Sequence, residues 1–199
     1  MKQKYNMLGK EITMKGLAIY FSKHAWSNTD LKDYIGAFDD AYLQYGGGAL
    51  GPDFNLWEWS DTWLSSSGVN ILEPVIEWND DGSVKKLQIK QTNDLRGKNR
   101  LRKQKIDLAV YDEHFHPHVV KDILISEKDA LNDVALHFDK PVTAIIINVN
   151  DHGYAKVRYD QKTLDAFVNN LQRIEDSVTR AQVWRQLWLL VMDRKMSSL

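Results

Sequence analysis

Apolar positions recur with helical period at both ends of the chain and with a period of two in the middle. Residues 2–23 carry Tyr5, Leu8, Ile12, Ile19 and Tyr20 in a helical stripe, with Gly9 and Gly16 as points where it can split into two helices. Ser27-Asn28-Thr29-Asp30 supplies capping residues, and Asp30 and Asp33 place negative charge where a helix N-terminus wants it. A helix is therefore predicted from Thr29 to Leu43, with Leu31, Tyr34, Ile35 and Phe38 as its apolar face. The run from Tyr45 to Pro52 breaks it. From Asn55, the spacing of Leu56, Trp59 and Trp63, with Trp57 and Leu64 alongside, predicts a short aromatic helix that Gly68 stops.

Beyond Gly68 the period changes. Val69 to Trp78 and Val84 to Gln91 read as strands joined by a hairpin turn at Asn79-Asp80-Asp81-Gly82. Ile106, Leu108 and Val110 alternate with Asp107, Ala109 and Tyr111, which predicts a half-buried strand. Val119, Lys121, Ile123 and Ile125 mark one side of another, and Val134, Leu136 and Phe138 mark a further one. Thr143 to Val149 is dense in branched aliphatics and reads as a strand covered on both faces, bounded by Pro141 and an Asx-Gly turn. Short strands at regular intervals predict an antiparallel β-sandwich.

After Tyr159 the helical period returns with Thr163, Leu164, Phe167, Val168 and Leu171. A second helix capped by Ser177 carries Val183, Trp184, Leu187, Trp188 and Val191, a strongly amphipathic pattern. Its apolar face needs cover that the remaining residues are too few to supply, so more chain is expected downstream. The predicted fold class is α+β and multidomain, an antiparallel β-sandwich flanked by helical segments. Its parts are residues 1–68, 69–159 and 160–199.

Composition narrows the function classes. At 199 residues and 43% hydrophobic content the chain can bury one good core or two small ones. A formal charge of −1 provides no field that would attract nucleic acid or an anionic membrane, and neither is expected as a partner. The absence of cysteine excludes disulfides, thiolate metal sites and a cysteine nucleophile, and suits a reducing cytoplasm. No apolar run approaches the ~20 residues that span a bilayer, and no signal-type block follows Met1, so a soluble protein is expected.

Three stretches invite chemical readings. Gly46 to Gly51 could cradle a phosphate, yet it lacks the Lys-Ser/Thr pair and a preceding strand, and reads as a flexible inter-helix loop. Asp94 to Lys105 holds Arg96, Lys98, Arg100, Arg102, Lys103 and Lys105 without interleaved aromatics, and reads as a solvated loop leading into a strand. His114, His116 and His118 would share one face of extended chain and could hold zinc, but Asp112, Glu113 and Pro117 mark a hairpin tip without rigid support. No nucleophile elbow or helical His pair occurs, so no catalytic, cofactor-binding or metal-binding residue is assigned.

Three stretches taken in order resemble the aminopeptidase N-like zinc metallopeptidases. Leu8-Gly9-Lys10, Lys15 to Phe21 and Lys23 to Leu31 are similar to the late helices of their catalytic domain. Trp63 to Leu72 is similar to the passage into their β-sandwich. Asn150-Asp151-His152-Gly153-Tyr154 through Asp160 resembles the sandwich exit, and Ser177 to Trp184 the helical domain that follows. Gly46 to Gly51 and Phe38-Asp39-Asp40-Ala41 depart from the family pattern.

The resemblance implies a parent enzyme of four domains that removes N-terminal residues from peptides with a zinc-bound water and a glutamate base. That chemistry uses His-Glu-x-x-His, a second glutamate ligand and a Gly-x-Met-Glu-Asn segment. None of these occurs here. The chain is thus expected to be inactive alone, a non-catalytic portion whose sandwich spaces catalytic and helical domains. Its expected partner is the rest of the parent chain, with self-association through exposed helix faces. The alternative is a stand-alone β-sandwich module that binds a peptide or protein through an edge strand or the Trp-rich helix.

Overall fold

A computed structural model describes residues 2–94 and 100–197. The fold is α+β, and the chain divides into two compact units, residues 1–67 and 68–199.

The first unit is helical: α1 (Lys2–Lys23), α2 (Leu31–Tyr45) and α3 (Leu56–Leu64). Of the two glycines expected to break α1, Gly9 does so, with φ 79° and ψ 169°. Gly16 stays helical and buried, because a Cβ there would lie 2.6 Å from the Phe38 ring. It is a site of close helix approach. Helix α2 starts at Leu31 because Asp30 is the cap: its carboxylate accepts from the amides of Lys32 and Asp33, and the Asp33 side chain accepts from the Asp30 amide. Phe38 is fully buried, whereas Leu31, expected on the same face, is exposed. Asn55 caps α3 by accepting from the Glu58 amide. Met7, Leu8, Ile12, Phe38, Tyr42 and Leu56 anchor the core.

The second unit contains seven strands among the described residues: β1 (Asn70–Trp78), β2 (Val84–Asn93), β3 (Gln104–Tyr111), β4 (Pro117–Ile125), β5 (Leu131–Asp133), β6 (Ala144–Val149) and β7 (Ala155–Val157). They form sheets of order β5-β2-β1-β7 and β4-β3-β6, antiparallel except for the short β1–β7 pair. Leu72 and Ile89 of one sheet share a core with Leu108, Ile125, Ile145 and Ile147 of the other. Helices α4 (Gln161–Asn170) and α5 (Ser177–Met192), joined through a 3-10 turn at Leu171–Arg173, belong to the same unit. Among the described residues no helix is long and apolar enough to cross a membrane.

Four local expectations are corrected. Strand β3 is buried on both faces, since Asp107, Ala109 and Tyr111 are as enclosed as the residues between them. It is the central strand of its sheet, so the polar half of its pattern is covered too. In β4, Ile123 pairs with Ile106 and Val120 with Leu108, so two residues of β4 oppose the single Asp107. Asp122, with φ 58°, forms this bulge, and Val120 replaces Val119 and Lys121 on the face of Ile123. The strand expected at Val134 to Phe138 is replaced by the shorter β5. The Val134 amide still donates to the Leu87 carbonyl, but Phe138 turns to pack its ring on His118.

The fourth correction concerns α5. Its cap is Asp176 rather than Ser177. Its buried side mixes Val183 and Leu190 with Thr179, Gln182 and Gln186, while Trp184 and Trp188 face outward, 61% and 63% exposed. The helix buries a mixed side and exposes an aromatic one.

Candidate functional site

The mixed buried side of α5 has a physical cause. Strand β6 is a sheet edge in an almost wholly apolar setting, so its free backbone groups need partners other than water. The two helices supply them. Thr163 Oγ1 accepts from the Ile145 amide at 2.9 Å, and Gln182 Nε2 donates to the Asn148 carbonyl at 2.7 Å. Gln186 Oε1 accepts from the Val157 amide of β7 at 2.9 Å. Lys156 then ties β7 to the end of α5, with Nζ 2.8 Å from Asp193 and 3.0 Å from Asp94. Burial alone would lower the Lys156 pKa, but the two carboxylates outweigh it and raise it.

Anchored this way, the helix pair presents its other side outward. Between α4 and α5 runs a groove of about 630 Å³ lined by Leu164, Phe167, Val168, Leu171, Trp184 and Leu187, with Arg180 at its rim. Val168 is 80% exposed. This surface can bury apolar side chains. The described residues lining it include no carboxylate, imidazole or hydroxyl nucleophile, so it offers no acid, base or metal ligand for chemistry.

The three histidines do not converge. The chain turns at Asp112–His116, where the Asp112 carboxylate accepts from the amides of His116 at 2.8 Å and His114 at 2.9 Å. These bonds, that of His116 first, hold the Asp112 carboxyl below its ordinary pKa. Phe115 takes φ 63°, which ends the extended path that would align the imidazoles, and His118 stacks on Phe138. Among the described residues no group of three His, Asp or Glu side chains is arranged to hold a metal.

In the basic run, Arg96 and Lys98 lie outside the described residues. Arg102 departs from the expected solvated loop: it is buried, its Nη1 3.3 Å from Asn70 Oδ1, and desolvation lowers its pKa. Lys103 meets Glu127 and Lys105 meets Asp122. The glycine run forms successive turns, with Ala49 donating to Gly46 and Gly51 to Gly48, and its Leu50 is buried in the core.

Sequence reasoning passed over two polar clusters. Asp107 accepts from the Asp122 amide and from Asn150 Nδ2, each at 3.0 Å, with His152 Nδ1 at 3.4 Å. Asn148 both donates to and accepts from the Gly153 backbone, closing the turn in which Asn148, Asn150 and Asp151 all have positive φ. The Asx-rich Asn148–Gly153 stretch is therefore a structural corner. The Asx-Gly composition did give a turn after Val149, but not the partners that hold it. The second cluster surrounds Lys4, which nothing in its sequence neighbourhood marks.

No family model matches the chain. Two curated proteins are similar to it along essentially its whole length. Aminopeptidase N of Streptomyces lividans is 29% identical over 206 aligned positions, which take in 100% of this chain and 23% of that protein. Aminopeptidase N of Lactobacillus delbrueckii subsp. lactis is 29% identical over 194 positions, 96% of this chain and 20% of that protein. The chain spans less than a quarter of the length of either relative, and what it is related to is therefore a part of aminopeptidase N.

Proposed function

We propose that this chain is a non-catalytic portion of a zinc-dependent aminopeptidase that removes N-terminal residues from peptides. Residues 1–68 correspond in this reading to the end of the catalytic domain, 69–159 to a sandwich that spaces the domains, and 160–199 to the first helices of a C-terminal domain. The observation that carries it is similarity along the whole chain to a fifth or so of two proteins named aminopeptidase N.

In this reading the described side chains are not the ones that hold zinc. The described residues hold no group of three potential ligands, and the sequence has no His-Glu-x-x-His. Any zinc belongs to other parts of the enzyme, and no catalytic step is assigned to this chain. What it contributes is surface, and the α4–α5 groove is where the rest of the parent chain would pack.

The test is substitution. The aligned segment of the Streptomyces lividans aminopeptidase N is replaced by this chain, and hydrolysis of aminoacyl p-nitroanilides is measured. The chimera is expected to turn over substrate, and the free chain with added zinc to show none. A folded, zinc-loaded chimera without activity would count against the proposal, as would turnover by the free chain.

A further inference from the structure

Lys4 lies in the segment of α1 that precedes the break at Gly9. Its Nζ donates to Tyr34 Oη at 2.6 Å and stands over two rings of α2, 3.8 Å from the Tyr34 centroid and 2.9 Å from that of Phe38. Tyr20 packs edge-on against Tyr34 at 5.4 Å, so the amine faces an aromatic wall. Among the described residues no carboxylate lies within ion-pair reach of Lys4. By contrast, Lys23 of the same helix meets Asp40 of α2 at 2.6 Å.

A hydroxyl and two ring faces can hold an ammonium, but they bring no opposite charge to offset its removal from water. Burial lowers the Lys4 pKa to about 7, while the Tyr34 phenol, raised by burial, stays neutral beside it. The ring faces attract the cation and so oppose the shift. An amine in such a place spends much of its time uncharged at neutral pH, and the uncharged form is the nucleophile. Lys4 as a whole residue is half-buried rather than sealed.

We propose that Lys4 is a selective acylation site, a nucleophilic amine for small activated acyl donors such as thioesters and active esters. The nitrogen lone pair adds to the donor carbonyl, the carbon–sulfur bond breaks, and the departing thiolate takes up the proton that nitrogen sheds. The products are an amide and a thiol. Acylation removes the charge and most of the donors by which Lys4 joins α1 to α2.

The experiment treats the full chain with a limiting amount of N-acetoxysuccinimide from neutral pH to about pH 10 and follows each lysine by peptide mass spectrometry. The exposed Lys2 and Lys10 of the same helix are internal standards. At neutral pH Lys4 is expected to react roughly tenfold or more faster than either, and its own rate to level off a little above pH 7. In concentrated urea the preference should vanish, and Lys4→Arg should remove the fast phase from folded protein. Lys4 reacting no faster than Lys2, a rate climbing in parallel with the others, or a preference that persists in urea would each overturn the proposal.

Discussion

Replacing Gln186 by leucine tests how α5 is held. The amide side chain is 1% exposed and its Oε1 is the acceptor for the Val157 N–H at 2.9 Å. Leucine fills similar space but leaves that N–H buried without a partner, which costs about 1–3 kcal/mol. The added apolar burial returns ~1 kcal/mol or less, so a net loss of about 1–2 kcal/mol is expected. With a urea dependence of about 1–3 kcal/mol per molar, the unfolding midpoint of this unit should fall by roughly 0.3–2 M.

Two compact units need not unfold together, so the readout has to be local. Hydrogen exchange at the Val157 amide as urea rises reports on the bond itself. Gln182→Leu provides the comparison. It strands the Asn148 carbonyl instead of an N–H, and carbonyls tolerate loss of one partner better, so its effect should be smaller. If Gln186→Leu keeps Val157 protected and the midpoint unchanged, α5 is held by its apolar contacts alone and the account of its mixed face is wrong.

Two further outcomes are expected. Asp176 caps α5, and the Thr179 side chain and amide hold its carboxyl below the usual range. A depressed carboxyl contributes stability that is complete above the unfolded value of about 4 and is lost as pH falls through the lower folded value. Asp176→Asn keeps a capping oxygen and should flatten the acid limb of α5 helicity measured by circular dichroism. An unchanged acid limb would refute the assignment. The outward Val168, Trp184 and Trp188 should make the free chain self-associate, seen as a sedimentation coefficient that rises with concentration and is suppressed in Trp184→Lys/Trp188→Lys. A monodisperse monomer at high concentration would contradict this.

Where local chemistry decides, the chain was readable. The Asn79–Gly82 turn appears as expected, and the capping run before α2 was read with its start two residues early; both act through neighbours three or four residues away. The branched run ending at Val149 signalled a doubly covered strand because aliphatics at consecutive positions have no solvent face to spare. The groove was legible only as an apolar excess around Trp184 and Trp188, without its partner wall on α4.

The amino-acid order thus determined the longer helices and strands and roughly where they begin, since those choices rest on short-range hydrogen bonds and side-chain period, but not the short strands β5 and β7. Tertiary structure alone decided that Asp107 is enclosed, that Asp122 shifts the register of β4, and that Gln182 and Gln186 face inward. In each case a polar group is satisfied by residues 15 to 43 positions away. A partner at that distance cannot be identified from the local pattern, because it exists only once the sheets and helices have packed.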